Sequence, residues 1–135
     1  MPLAVTLIRS HELSDVVQYA YAATAPAEAR LIFLAGACPL NRDGSTAGVG
    51  DYPAQARKAM ENLRIALMAA GAQLDDVVST RVLVASSKQS DLVDVWDVVR
   101  AAFGAHDAPS TLMGVTVLGY TDQLVEIEAV AAVID

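Results

Sequence analysis

Two amphipathic segments, each closed by a glycine, set the terms on which this chain can fold. The first opens at Asp51, whose side chain can cap a helix, with Pro53 near the first helical position. Apolar residues then recur at steps of three and four (Ala56, Met60, Leu63, Leu67, Ala70), and Gly71 is the natural stop. The second starts where Ser86 and Gln89 have capping-box spacing. It carries Leu92, Val95, Trp96, Val99 and Phe103 on one stripe and ends at Gly104. Two helices with one apolar stripe each need a sheet to lie on, which makes the chain an α+β layer structure.

The rest of the chain supplies that sheet. Strand character appears over 3–9, over 16–24 (VVQYAYAAT) and in the continuous apolar run 31–35 (LIFLA), which Gly36 ends or bulges. Between the helices, 75–85 reads as a strand with Val78, Thr80, Val82 and Val84 on one face. Two further strands, about 111–118 and 124–134, are joined by a Gly-Tyr-Thr-Asp turn. The predicted order is β-β-β-α-β-α-β-β, with no linker, so residues 1–135 read as one domain.

The last strand has an unusual pattern. Alternation places Val125, Ile127, Ala129, Ala131 and Val133 on one side, and Leu124, Glu126, Glu128, Val130 and Ala132 on the other. Two carboxylates thus sit on an otherwise apolar face, where burial would require partners for them. Rim glutamates that keep a sheet edge soluble are the plain reading of this pattern.

Composition narrows the function classes. The chain is 54% hydrophobic but only 5% aromatic, and part of that apolar surplus fits a subunit interface. A net charge of −7 and the lack of any basic block argue against nucleic acid. No apolar run is long enough for a membrane span, and the N-terminus lacks a signal-peptide pattern. The single cysteine, Cys38, fits a reducing cytoplasm. His11, His106 and Cys38 lack metal-ligand spacing, and no glycine-rich phosphate loop is present, so no metal or cofactor is expected.

Three ordered stretches then resemble the Rid family of reactive-intermediate deaminases, also called YjgF or L-PSP. They are LIFLAGACPLNRDG at 31–44, QARKAMENLRIALMAAGAQLDDVVSTRVLVAS at 55–86 and VEIEAVA at 125–131. In the second, Gln55, Ala59, Asn62, Leu63, Leu67, Ala70, Gly71, Asp76 and Val77 fall in the family's register. The resemblance implies a chorismate-mutase-like sheet with two helices on one face. It also implies a barrel-like homotrimer with small-molecule clefts between subunits.

By the same resemblance, Glu126 matches the glutamate that holds the attacking water in deaminating members. Tyr21 matches a pocket tyrosine. Backbone N–H groups near Leu112 and around Gly36 to Cys38 would line the pocket. Where those members read Pro-Ala-Arg, with the arginine gripping a substrate carboxylate, this chain reads Ala108-Pro109-Ser110, with Ser110 at the arginine position and no arginine in 101–135. A serine cannot replace a bidentate, permanently charged fork. The expectation is therefore a hydrolase of an enamine- or imine-like metabolite lacking the usual carboxylate. The alternatives are a non-enzymatic metabolite-binding trimer, or a 2-imino-acid deaminase whose cation is supplied by Arg30, Arg81 or another residue.

Overall fold

A computed structural model describes residues 3–135. Its elements are β1 (Thr6–Ile8), β2 (Ala22–Thr24), β3 (Arg30–Phe33), α1 (Tyr52–Ala69), β4 (Val77–Val84), α2 (Gln89–Phe103), β5 (Ser110–Gly114) and β6 (Val125–Val133). β1 and β2 form a small antiparallel ribbon. The main sheet has the order β3-β6-β4-β5, parallel between β4 and β5 and antiparallel elsewhere. Both helices pack on one face of it, which confirms the α+β expectation.

Helix α1 begins as its sequence dictates. Asp51 Oδ1 accepts the Ala54 N–H at 2.9 Å. It ends in a Schellman motif, with the Ala72 N–H on Leu67 O, the Gly71 N–H on Met68 O, and Gly71 at φ +82°. The predicted stripe is buried from Ala56 to Leu67, together with Gln55 and Ala59, while Ala70, just past the helix, is partly buried. Helix α2 buries Val95 and Val99, with Leu92, Trp96 and Phe103 packed beside them. The capping box expected at its start is not formed. Ser86 Oγ instead accepts the Lys88 N–H and donates to Asp91 Oδ2, and Lys88 is the uncapped first position.

The strand over 16–24 shrinks to Ala22–Thr24. Ser10 and Ser14 hydroxyls accept the N–H groups of Glu12 and Val16, and the Ala20 N–H goes to Asp107 O, so this stretch is taken up by local turns and a long-range tie. In β4, Val77 lies opposite Ala131 and Ser79 opposite Val130, so Val78 is an extra, bulged residue. The helix-facing set is therefore Val77, Thr80, Val82 and Val84, not the expected one starting at Val78. A second extra residue sits after β3. Phe33 faces Val130 and Ala37 faces Ile127, four residues on one side against three on the other, with Gly36 inside the bulge. The last two strands are joined through the predicted turn, yet they are not neighbours, because β4 lies between them.

The split of β6 into two faces holds as far as Val130, whereas Ala132, on the outer side by alternation, is fully buried. Val125, Ile127, Ala129, Ala131 and Val133 are buried against the helices, while Glu126, Glu128 and Val130 are only partly covered on the outer face. That outer face also exposes Leu31 and Phe33, the latter 75% accessible. Among the described residues, no helix is long and apolar enough to cross a membrane.

Candidate functional site

The outer face of the sheet is laid out in rows fixed by strand register. One row holds Glu126 on β6, Leu83 on β4 and Met113 on β5. The next holds Glu128, Arg81 and Thr111. Glu126 is thus displaced from Glu128 by one repeat of the strand, on the same side, as alternation required.

Glu126 is held from two directions. Its Oε1 accepts the Gln123 Nε2–H at 3.1 Å and the Cys38 thiol at 3.3 Å. Gln123 is buried; it also donates to Val125 O and accepts the Tyr120 N–H, so its amide is locked in one orientation. The other carboxylate oxygen lies over Gly36, where an added Cβ would fall 2.4 Å from Oε2. A side chain at position 36 would therefore occupy the space of the carboxylate. This is a glycine required by close approach and not by φ.

The loop beneath is fastened by α1. Asn62 Nδ2 donates to Cys38 O and Leu40 O, both at 2.9 Å, while Gln55 binds Gly48 O, Asp122 O and the Leu124 N–H. One face of α1 thus fixes both the Gly36–Leu40 loop and the approach to β6. Burial, the hydrogen bond to Glu126 and the charge of Glu126 push the Cys38 thiol up to about 11, with Gln123 partly opposing them. A thiol so raised is protonated at neutral pH and is a poor nucleophile.

The other expected site residues lie elsewhere. Ser110 faces the helices: Thr80 Oγ1 and Ser110 Oγ are 2.7 Å apart on the inner side of the sheet, so Ser110 does not share Glu126's face. Alternation puts Thr111 there instead, beside Arg81. Leu112 turns its side chain inward to the core. Its amide faces the free edge of β5, since Thr80 N–H to Pro109 O and Val115 N–H to Val84 O commit the odd-numbered positions to β4. Tyr21 stands just before β2, its hydroxyl donating to Ser14 O and its ring against Tyr19. Its hydrogen bonds and ring contacts among the described residues do not reach Glu126. Gly36, Cys38 and Glu126 are the expected residues that come together.

Sequence reasoning gave no role to Gln123, placed Gln55 and Asn62 only in the family's register, and named Arg81 as a candidate cation without its pairing to Glu128. The signal for Gln55 and Asn62 was present, as amide side chains flanking the apolar stripe of α1. Arg81 Nη2 sits 2.9 Å from Glu128 Oε1 and 3.1 Å from Oε2. Next to this pair is a hollow of about 300 Å³ lined by Phe33, Ser79, Arg81, Glu128 and Val130. Among the described residues no cluster of His, Cys, Asp or Glu is arranged to hold a metal ion.

An α+β protein with a glutamate fixed over a glycine loop on the open face of its sheet is the class defined so far. Comparison with known proteins makes it specific. The family described as Endoribonuclease L-PSP matches residues 10–133. The RutC family protein PH0854 of Pyrococcus horikoshii is 32% identical over 100 residues, 74% of this chain and 77% of that protein. Among solved structures, the Rid-family protein YyfB of Yersinia pestis is 28% identical with TM-score 0.90, covering 97% of this chain and 100% of that one. A YjgF/YER057c/UK114-family protein of Mycobacterium tuberculosis is 34% identical with TM-score 0.65, covering 96% and 99%. The chain belongs to the Rid/YjgF/L-PSP family.

Proposed function

We propose that this protein hydrolyses the C=N bond of a small imine, or of an enamine through its imine tautomer, at Glu126, in a cleft completed by neighbouring copies of a homotrimer. The observation that carries this reading is the carboxylate itself, half-buried, doubly bonded at one oxygen and open over Gly36 at the other. Glu126 orients a water and accepts its proton as the oxygen adds to the imine carbon. The nitrogen takes up protons, ammonia leaves, and a carbonyl compound remains. No cofactor is needed for this balance. The exposed apolar surface at Leu31 and Phe33 supports the trimer, and the acidity of the chain speaks against an RNA substrate.

A second reading is favoured by one observation: Arg81. None of the other eight Lys and Arg residues is carried by a strand on the outer face. Arg81 lies one row from Glu126, and its pairing with Glu128 is solvent-accessible enough to exchange for a ligand carboxylate. In that case the substrate is a 2-imino acid and the cation has moved from β5 to β4. The test is ammonia release from freshly generated 2-iminopropanoate and from an uncharged imine, with wild type, Glu126→Gln and Arg81→Ala. Turnover of the uncharged imine that falls at least about 100-fold in Glu126→Gln supports the first reading. Turnover of the imino acid alone, lost in Arg81→Ala, supports the second. Silence with both substrates would leave a non-enzymatic metabolite-binding trimer.

A further inference from the structure

Glu126 Oε1 has two in-plane lone pairs, and the structure supplies two donors for them. Gln123 Nε2 occupies one at 3.1 Å and Cys38 Sγ approaches the other at 3.3 Å. The thiol has a second acceptor in reach, Gly36 O at 3.4 Å, but a carboxylate is the stronger acceptor for a single proton. Among the described residues no donor contacts Oε2, which rests above the bare Cα of Gly36. Gln123 cannot drift from this arrangement, since its carbonyl end is tied to the Tyr120 N–H and its amide end also bonds Val125 O. Cys38 is held through its own carbonyl by Asn62.

We propose that Gln123 and Cys38 are positioning residues of the Glu126 carboxylate: together they saturate Oε1 and leave Oε2 as the single oxygen that meets the attacking water. The catalytic use of Oε2 rests on the hydrolytic reading above, whereas the hydrogen-bonded unit does not. By accepting a hydrogen bond from the Cys38 thiol, carboxylate Oε1 keeps the proton on sulfur. The Gln123 amide, which donates to the same Oε1 and so weakens it as an acceptor for the thiol, acts in the opposite sense. The two partners therefore have opposite effects on thiol reactivity, which a purely space-filling role would not produce.

Because Cys38 is the only cysteine in the chain, its alkylation by iodoacetamide reports this directly. At about pH 8.5 the rate follows the thiolate fraction. Glu126→Gln is expected to raise the rate about threefold or more, and Gln123→Leu to lower it by a similar factor. A rate unchanged in Glu126→Gln, or raised in Gln123→Leu as simple loosening would do, overturns the proposal. Glu126→Gln keeps the shape of the side chain, so its arm stands even if Gln123→Leu does not fold.

Turnover provides the second readout. Gln123→Leu should lower kcat about tenfold with KM nearly constant, and Cys38→Ser, which keeps an O–H donor, should lose less than Cys38→Ala. Equal losses in the two Cys38 variants would remove the thiol from the unit. A wild type without turnover would sink the hydrolytic reading, while the alkylation rates still decide whether Gln123 and Cys38 hold Oε1.

Discussion

On the inner face of β6, Val125, Ile127, Ala129, Ala131 and Val133 meet the helices and leave almost no surface to solvent. One residue away in each case, the outer face carries Glu126, Glu128 and Val130, partly open and bordered by exposed Phe33. Both faces belong to the same backbone and the same hydrogen-bond ladder, so the difference between them is one of side-chain constraint alone. Inward positions are constrained by volume, because a close-packed interior feels the loss of a single methylene. Outward positions are constrained by direction: what matters at Glu126 is where each oxygen points. Stability and function are thereby assigned to alternate residues of one strand.

The contrast can be broken most strongly from the inside. Ile127→Ala should cost about 2–5 kcal/mol in denaturant unfolding. Glu126→Gln, its immediate neighbour, should change stability by less than about 1 kcal/mol while abolishing turnover. The glycines make a finer version of the same test. An added Cβ at Gly114 would lie 2.5 Å from the Ser86 carbonyl oxygen, a backbone atom that cannot step aside. Gly114→Ala should therefore destabilise by about 1–3 kcal/mol. At Gly36 the obstructed atom is the end of the flexible Glu126 side chain, so Gly36→Ala should leave the melting temperature closer to wild type and remove activity.

Asn62 tests the support beneath the outer face. Asn62→Ala leaves Leu40 O without its donor and Cys38 O with the Leu40 N–H alone, and should cost about 1–2 kcal/mol, together with activity as the loop relaxes. A smaller effect is expected in alkali. The Cys38 thiol is raised from 9.0 to about 11, so the fold favours its neutral form. That contribution is complete below pH 9 and is lost as pH rises toward about 11. Stability measured across this range should fall in wild type and fall less in Cys38→Ser. Arg81→Ala should have the smallest effect on unfolding, under about 1 kcal/mol, because the pair with Glu128 is largely solvated.

Period-3.6 and period-2 patterns were readable without a structure because burial imposes them. Both helices, their glycine stops and the two faces of β6 were accordingly plain in the sequence, and a short ordered motif was enough to indicate Glu126, Gly36 and Cys38. What the pattern could not show was parity after an interruption. Val78 reads as one more alternating residue, and only the pairing of Val77 with Ala131 and Ser79 with Val130 reveals it as extra. The side of the sheet that Ser110 faces was hidden for a related reason. A shift of one position along β5 exchanges inner for outer, and neither Ser110 nor Thr111 is apolar enough to declare its side. The roles of Gln123, Gln55 and Asn62 depend on loops meeting across long stretches of sequence, for which local spacing has no signal.

The bulge at Val78 has a consequence for how such a chain can change over generations. In an uninterrupted strand, gaining or losing one residue turns every subsequent side chain over, so that groups meant for solvent are driven into the core. Here the ladder already tolerates a supernumerary position, and loss of Val78 would simply bring Val77 and Ser79 together opposite Ala131 and Val130. The strand that presents Arg81 and Leu83 thus contains a point where its length can drift by one without inverting its chemistry. Descendants of this sequence would be expected to vary in length there first.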